Sequence, residues 1–429
     1  MLFKGIKTKN IVCAGLATSM EYFDFTLFSL CIIYISKTFF PDTMSSSEQI
    51  ISAFGLFAAG YVMRPIGGIF FGNLGDKIGR KKVLIITVAL MSLSMVIMTF
   101  TPSYNVGGLS SILLILVARF IQGFSIGGEY NGVIATLSEQ ADHTNRASVT
   151  SMGTFLEGNG CLFAVVLMVI LTTVYTDKQM YDYGWRIAYG IGVGFSIVAL
   201  IAQFIQDESR QFIKVKEEGH ILKTPFLVAI KSYLYQIFIV FCLAGYLGVA
   251  YYMIMGFMPS YMEHDLKINY NTVMWMSAIA SFGYAWSAPF WGRLADKIGR
   301  KPVLLSNAAL IAILIYPTFM TLTTDNVWLI GSALTLLLIL IAGATATFVT
   351  LINELFPTNV RFSGVATGYN VSNAIFGGTT PLVASLFIFL FGQFGASYYL
   401  IVLTVILFIL LWKMPETKGV EFSSQHQAD

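Results

Sequence analysis

Six ionisable residues lie well inside long apolar stretches of this 429-residue chain. Four are carboxylic acids and two are arginines. A charged side chain at the centre of a bilayer costs about 2.5–3.5 kcal/mol on insertion scales, so such residues usually face a cavity and carry function. A buried carboxylic acid can take up and release a proton, and an arginine can hold an anion through its planar fork. The six residues are Glu21, Asp24, Arg64, Arg119, Glu129 and Glu157.

All six residues fall in the first half of the chain. The apolar stretches of the second half carry no ionisable side chain far from their ends, and the four histidines lie in loops or in the tail. Burial favours a neutral acid, whereas a neighbouring arginine favours a carboxylate, so moving the arginine toward an anionic ligand would let the acid take a proton. We therefore expect proton exchange in the first half. Static ion pairs that hold helices together are the alternative explanation.

The composition identifies the elements that must position these residues. Hydrophobic residues make up 56% of the chain and charged residues only 11%, against ~25% charged in an average soluble chain. This excludes a soluble multidomain protein, and the net charge of +3 gives no support to a nucleic-acid partner. No cysteine pair is spaced like a metal site, and we expect neither a metal nor a cofactor. The predicted partners are the lipid bilayer, a small metabolite and protons.

Twelve apolar stretches are long enough to cross about 30 Å of hydrocarbon as helices. We predict an all-α membrane protein, with residues 1–206 and 231–414 as two six-helix bundles. Residues 207–230 form the predicted cytoplasmic linker and 415–429 a short cytoplasmic tail. The predicted spans cover 11–36, 49–72, 83–101, 110–138, 148–174, 185–206, 231–258, 271–292, 303–323, 327–352, 362–391 and 395–413.

The lysines and arginines predict the orientation. If the N-terminus is cytoplasmic, cytoplasmic segments hold 20 of the 26 basic residues and outer loops hold four. Cytoplasmic loops of membrane proteins carry this excess of positive charge. Both termini are therefore predicted to be cytoplasmic, in a protein of the cell's inner membrane.

The chain repeats itself at an offset of 220 residues. Residues 72–85 read GNLGDKIGRKKVLI and residues 292–305 read GRLADKIGRKPVLL, with ten of fourteen positions identical. A weaker similarity follows each copy. A glutamate precedes an arginine by seven residues at 139–146 and again at 354–361. Two parallel halves with matching inner loops imply a pseudo-two-fold axis along the membrane normal, an architecture of transporters with a central site.

The repeated segments also predict a cytoplasmic gate. A generic positively charged loop would explain the basic residues, but not the same order of Gly, Asp, Gly and Arg in both copies. We favour ion pairs that hold the inner ends of the halves together in one state and release them in another. The expected sets are Asp76 and Arg80 with Glu139 and Arg146, and Asp296 and Arg300 with Glu354 and Arg361.

Several stretches resemble a known family. GNLGDKIGRKK and its copy are similar to the signature loop of the major facilitator superfamily, and ARFIQGFSIGG at 118–128 resembles its fourth-span motif. ELFPTNVR at 354–361 and PETKG at 415–419 resemble elements also found in sugar porters. EYFDF at 21–25, RPIGG at 64–68, GGEYNG at 127–132 and GWRIAY at 184–189 together resemble the metabolite:proton symporters. Members of that family carry proline and betaine, dicarboxylates, citrate or shikimate.

The resemblance implies alternating access to a central site and proton-coupled import. It also implies that Arg119 pairs with a first-span carboxylate, so Asp24 is the first candidate for proton coupling, followed by Glu21, Glu129 and Glu157. Arg64, Glu129 and Glu157 form a predicted second cluster. One arginine with an aromatic wall suits a zwitterion such as proline or betaine better than a dicarboxylate. The predicted substrate-binding residues are Arg64, Arg119, Gln122, Tyr22, Tyr251, Trp275, Tyr369, Asn370 and Asn373.

Competing classes of protein fit less well. A membrane-embedded enzyme would need a catalytic constellation, and the sequence contains no HExxH, GxSxG or phosphate-loop motif. A channel or receptor would not need two matching halves with inner gates. A facilitator or a proton antiporter of the same superfamily is the remaining alternative. The transporter is expected to act as a monomer.

Overall fold

The computed structural model describes residues 8–422, and within that range the chain is built from helices. The predicted cytoplasmic residues 1–7 and the tail residues 423–429 lie outside it. The twelve predicted spans correspond to long helices. In the first half these are Thr8–Leu30 continued by Ile32–Phe39, then Ser46–Ile78, Arg80–Phe100, Leu109–Gln140, Arg146–Val174 and Trp185–Ile205.

The second half begins after two short linker helices, Arg210–Glu217 and Pro225–Ser232. Its seventh and eleventh spans each contain one π-helical turn, a feature that is common at functional sites. Its spans are Leu234–Tyr252 continued by Met253–Phe257 and Met258–His264, then Tyr270–Ile298, Arg300–Thr321, Val327–Glu354, Arg361–Ser372 continued by Asn373–Gly377 and Gly378–Phe391, and Gly395–Lys413.

Eleven helical segments in the described range are both long enough and apolar enough to cross a membrane. The exception is the eighth span, Tyr270–Ile298, which has 29 residues but lower hydropathy. Its polar residues Ser277, Ser281 and Tyr284 are buried, so they face protein and not lipid. Length and burial therefore support the predicted eighth span where hydropathy alone does not.

The repeated motif is predicted to be a loop, but the structure shows that most of it is helical. The second and eighth helices run six residues beyond their predicted ends, to Ile78 and Ile298, so most of the motif is helical. Each helix ends at one glycine, Gly79 with φ 106° and Gly299 with φ 109°. A residue with a Cβ is strained at such angles, and this explains a glycine before the arginine in both copies.

Buried apolar side chains form two large clusters. One contains residues between 11 and 199, and the other contains residues between 229 and 414 together with Tyr130 and Ile134. The second span packs on the eleventh, and the fifth packs on the eighth, so these helices join the halves. The two clusters are consistent with two bundles, and the domain limits at 206 and 231 stay predictions.

Candidate functional site

A cavity lies between the two halves, and six of its thirteen lining residues are tyrosines. Its volume is about 30 Å³, which is room for little more than one water molecule, so side chains nearly fill the cavity in this closed arrangement. The first, fourth and fifth spans contribute residues from one side, and the seventh, eighth, tenth and eleventh from the other. The lining residues are Tyr22, Tyr130, Glu157, Ala244, Leu247, Gly248, Tyr251, Tyr252, Tyr284, Thr345, Phe348, Tyr369 and Asn373.

Ring contacts between the halves fix this wall. Tyr130 stacks on Tyr369 with ring centres 5.1 Å apart and an interplanar angle of 21°. Tyr61 meets Tyr252 edge to face at 6.0 Å. Edge-to-face and offset stacked pairs are the favoured aromatic geometries. The wall is therefore built from aromatic rings that pack across the two halves.

Glu157 is the carboxylate among the lining residues. It accepts hydrogen bonds from the hydroxyls of Tyr284 at 3.1 Å and Tyr130 at 3.3 Å. Small residues bring it to the centre, because a Cβ on Gly158 would lie 2.8 Å from the Cβ of Ala285 on the eighth span. The fifth and eighth helices can approach this closely only with a glycine at that position. The sequence ranks Glu157 last among the carboxylates, but the structure puts it in the cavity wall.

Arg64 is buried beside the cavity. Its guanidinium carbon lies 5.5 Å from the ring centre of Tyr61 and 6.0 Å from that of Tyr369. It lies within electrostatic range of the Tyr252 hydroxyl, of Glu21 and of Glu157. The predicted cluster of Arg64 with Glu129 and Glu157 is therefore not an ion-paired one: Glu157 is held by tyrosines, and Arg64 faces aromatic rings.

Asp24 and Arg119 share a cluster, but Gln122 separates them. Arg119 donates to the side-chain oxygen of Gln122, and the amide nitrogen of Gln122 donates to Asp24. The guanidinium carbon of Arg119 lies 4.0 Å from the ring centre of Phe28. The predicted direct pair is thus corrected to a bridged one, because the aromatic ring and the glutamine occupy the space around the arginine.

Glu21 and Glu129 differ from the other acids in having few partners. Both oxygens of Glu129 are buried without a hydrogen-bond partner among residues 8–422, and so is Oε2 of Glu21. The two acids lie within electrostatic range of each other. Two neighbouring carboxyl groups that lack donors cannot both hold a negative charge at low cost. This pair is therefore chemically suited to holding a proton.

The remaining predicted substrate residues divide into two groups. Tyr22, Tyr251, Tyr369 and Asn373 line the cavity. Asn370 and Trp275 lie outside the cavity wall, as do Arg119 and Gln122. Asn370 donates to the Gly127 carbonyl at 2.8 Å and so joins the eleventh span to the fourth.

Trp275 is 55% exposed, because it faces outward between the buried Met274 and Met276. Its position corrects the expectation that it touches substrate. Sequence reasoning missed Tyr130, Tyr252 and Tyr284 as site residues. The GGEYNG stretch points to Tyr130, whereas nothing in the sequence distinguishes Tyr284 from the other 20 tyrosines. No three His, Cys, Asp or Glu side chains in the described range are grouped to hold a metal.

The eight predicted gate residues lie together at the helix ends that are predicted to be cytoplasmic. Asp76 accepts from the backbone N–H groups of Phe362 and Ser363 at 3.3 and 2.9 Å, and from the Ser363 hydroxyl at 2.8 Å. It thus caps the first turn of the eleventh span, in the other half. Asp76 also pairs with Arg80 at 3.1 Å.

The second copy makes the same contacts in the opposite direction. Asp296 accepts from the backbone N–H groups of Ala147 and Ser148 at 2.9 and 2.8 Å, and from the Ser148 hydroxyl at 2.6 Å. It caps the fifth span of the first half and pairs with Arg300 at 3.3 Å. Each half therefore completes a helix end of the other.

The glutamate–arginine pairs cross between halves, which corrects the predicted sets. Glu139 pairs with Arg361 at 2.8 Å, and Glu354 pairs with Arg146 at 2.8 Å. Within each half Glu139 also binds Arg80 at 2.8 Å and Glu354 binds Arg300 at 3.0 Å. The seven-residue spacing predicts a pair within each half, but only the fold shows that the partners are exchanged.

A further pair of glutamates completes this layer. Glu208 accepts from the backbone N–H groups of Arg80 and Lys81 at 3.0 and 3.2 Å, at the start of the third span. Glu416 accepts from those of Arg300 and Lys301 at 2.9 and 3.0 Å, at the start of the ninth. Glu416 belongs to PETKG, but the role of Glu208 is not evident from the sequence, because the residues around it do not repeat that motif.

Comparison with solved structures defines the class of fold. The chain superposes with a TM-score of 0.82 on the proton:xylose symporter XylE of the major facilitator superfamily, bound to 6-bromo-6-deoxy-D-glucose. The alignment covers 96% of each chain at 17% identity. An inward-open structure of the Escherichia coli xylose transporter XylE aligns with a TM-score of 0.66 at 17% identity, over 95% of this chain and 96% of that one. The chain therefore has the major facilitator fold.

Sequence comparison is more specific. Residues 10–224 match the family model "Sugar (and other) transporter", and residues 240–428 match "Major Facilitator Superfamily". A putative proline/betaine transporter of Staphylococcus aureus is 32% identical over 94% of this chain and 87% of its own length. The proline/betaine transporter of Escherichia coli K12 is 30% identical over 95% of this chain and 83% of its own length. The chain thus belongs to the major facilitator superfamily, in the metabolite:proton symporter family of these relatives, and is a membrane transporter and not an enzyme.

Proposed function

We propose that this transporter imports a proline- or betaine-like zwitterion together with protons. The cavity that combines one carboxylate with a wall of tyrosines carries the proposal. Ring faces attract ammonium groups, above all methylated ones. Glu157 supplies a negative charge at the same place, and Arg64 on the edge of the wall supplies a fork for a carboxylate.

A dicarboxylate fits this arrangement poorly. It would place a second negative charge near Glu157, with Arg64 as the nearest arginine. The relatives named as proline/betaine transporters support the same choice of substrate. A zwitterion is therefore favoured over a dicarboxylate.

The proton is proposed to travel on Glu21 and Glu129. These acids lack hydrogen-bond donors on three of their four oxygens, so a shared proton lowers the cost of burying them. Arg64 lies near Glu21. When Arg64 turns toward the substrate carboxylate, Glu21 loses its cation and gains affinity for a proton. Asp24 is the second candidate for the proton carrier. The hydrogen bond that Gln122 donates to it favours its charged form.

Alternating access is proposed to run through the gate layer. Arg80, Glu139, Arg300 and Arg361 are almost completely buried, so the cytoplasmic side is closed in this arrangement. Opening toward the cytoplasm would break the pairs Glu139–Arg361 and Glu354–Arg146. We place the protein in the inner membrane as a monomer with both termini cytoplasmic, since the cavity and the gate are complete within one chain.

The test uses purified protein in two stages. Proline, glycine betaine, a dicarboxylate and shikimate are compared for thermal stabilisation, and the stabilising compounds are then offered to proteoliposomes with and without an inward proton gradient. We expect proline or betaine to stabilise and to accumulate only with the gradient. Glu157→Gln should lose the stabilisation, while Glu217→Gln, an exposed change on the linker, should keep it.

Other results would reject the proposal. Stabilisation by a dicarboxylate alone would refute the zwitterion assignment. Uptake that never exceeds the external concentration would identify a facilitator. Uptake driven by a proton gradient of the opposite direction would identify an antiporter.

A further inference from the structure

The ring of Phe422 lies between two arginines of opposite halves. The guanidinium carbon of Arg146 is 3.7 Å from the ring centre, and that of Arg361 is 3.5 Å from it. A guanidinium this close covers one face of a ring, so the two arginines take the two faces. Arg146 begins the fifth span and Arg361 the eleventh. Both arginines also carry the ion pairs that cross between the halves.

The segment that carries Phe422, residues 415–422, is fixed to the second half. Glu416 caps the ninth span, as described above. The hydroxyl of Thr417 donates to Glu354 at 2.7 Å, and the ammonium of Lys418 donates to the carbonyl of Lys297 at 2.8 Å. The end of the segment reaches the first half, where Arg146 donates to the Val420 carbonyl at 2.8 Å.

The corresponding stretch of the first half is built differently. After Glu208 and Ser209 the chain enters the helix Arg210–Glu217. The ring of Phe212 lies 5.1 Å from the guanidinium carbon of Arg80, which belongs to the same half. Phe422 is thus an element that the internal duplication does not supply.

We propose that Phe422 is a positioning residue of the cytoplasmic gate. Arg146 and Arg361 carry like charges and repel each other, and the negative faces of one ring attract both. The ring therefore holds each arginine where it meets the glutamate of the other half. When the cytoplasmic side opens, Phe422 leaves Arg146 and stays with Arg361, so this contact favours the closed state. The inference depends on the proposed gate of an alternating-access transporter.

The test measures how often the cytoplasmic side opens. Thr150 and Thr350 meet across the halves within hydrogen-bond distance and are buried. A single cysteine, Thr150→Cys, is placed in a protein whose four native cysteines are changed to serine, and its alkylation by a membrane-permeant maleimide is timed without substrate. Phe422→Leu, which keeps an apolar side chain without a ring, should speed labelling at least fivefold. Phe422→Tyr should restore the slow rate.

Controls separate positioning from folding. Every variant must elute as a single species and unfold within about 2 °C of the parent protein. Labelling of Phe422→Leu at the parent rate would overturn the proposal, and so would a Phe422→Tyr protein labelled as fast as Phe422→Leu. Because the labelling assay needs no substrate, the Phe422 result stands even if proton-coupled uptake of a zwitterion fails in the separate transport test.

Discussion

The charges of the gate layer and those of the membrane interior are organised in opposite ways. In the gate, each carboxylate binds an arginine and at least one further donor, and each contact recurs in the second half. In the interior, all the charges belong to the first half, and Glu129 lacks a partner on both oxygens within the described chain. Where the chain keeps its internal duplication, the charges are paired. In the membrane interior, where the second half does not repeat the charges of the first, no such ion pairs are formed among the described residues.

This contrast separates two kinds of energetic role. Removing one partner of a buried ion pair costs about 3–5 kcal/mol, because the other charge is left uncompensated. A buried acid without hydrogen-bond donors does not stabilise the fold through an ion pair, and its ionised form costs free energy. Gate variants should therefore lose stability and interior variants should lose coupling.

The largest effect is expected from neutralising the proton carrier. Glu129→Gln should abolish accumulation under a proton gradient but spare exchange of internal for external substrate, which needs no net proton movement. Its thermal unfolding midpoint should stay near that of the parent, since no donor loses its acceptor. Glu21→Gln, Asp24→Asn and Glu157→Gln form the comparison set in proteoliposomes. The coupling model is wrong if all four variants still concentrate substrate.

The next largest effect is expected in the gate. Glu139→Gln leaves Arg80 and Arg361 without their shared carboxylate, which should destabilise the closed protein by about 3–5 kcal/mol. Thermal unfolding in detergent measures the loss, with Glu217→Gln as the exposed control. An unchanged unfolding midpoint for Glu139→Gln would contradict the expectation that gate charges stabilise the fold and interior charges do not.

A smaller effect is expected from the arginines beside the cavity. Arg64→Lys keeps the charge but loses the planar fork, and it should raise the apparent substrate constant at least tenfold, about 1.4 kcal/mol. Arg119→Lys should change it less, because Arg119 binds Gln122 and lies outside the cavity wall. Concentration series of uptake provide both constants. Two lysine variants that bind like the parent would refute arginine recognition.

The smallest effect is expected from the helix caps. Asp76→Asn should slow transport and cost about 1 kcal/mol of helix-end stabilisation, with normal amounts of folded protein, because Arg80 keeps Glu139 as its ion-pair partner. Asp296→Asn should act more mildly, since the Asp296 side chain is 10% exposed and that of Asp76 is fully buried. Initial uptake rates at matched expression test the order. The reverse order, or wild-type uptake in Asp76→Asn, would contradict it.

The helices and the gate could be predicted from the sequence because their signals are local. Apolar length identifies the spans, and the repeated order of Gly, Asp, Gly and Arg points to the residues that meet in the gate layer. The cavity could not be read in the same way. In a span that is apolar on all sides, periodicity does not distinguish a lipid-facing face from a buried one. For this reason the sequence does not separate the outward-facing Trp275 from the buried Tyr284. The exchange of partners between Glu139 and Glu354 depends on how the halves dock, which no spacing within one half encodes.

The reciprocal caps of Asp76 and Asp296 also constrain how the halves meet. A single anchoring point would let one half pivot against the other. Here two anchors, on different helices and running in opposite directions, leave one docking pose for the closed state. Loosening either anchor weakens the alignment of the other, so closure of the gate should be an all-or-none event and not a graded one.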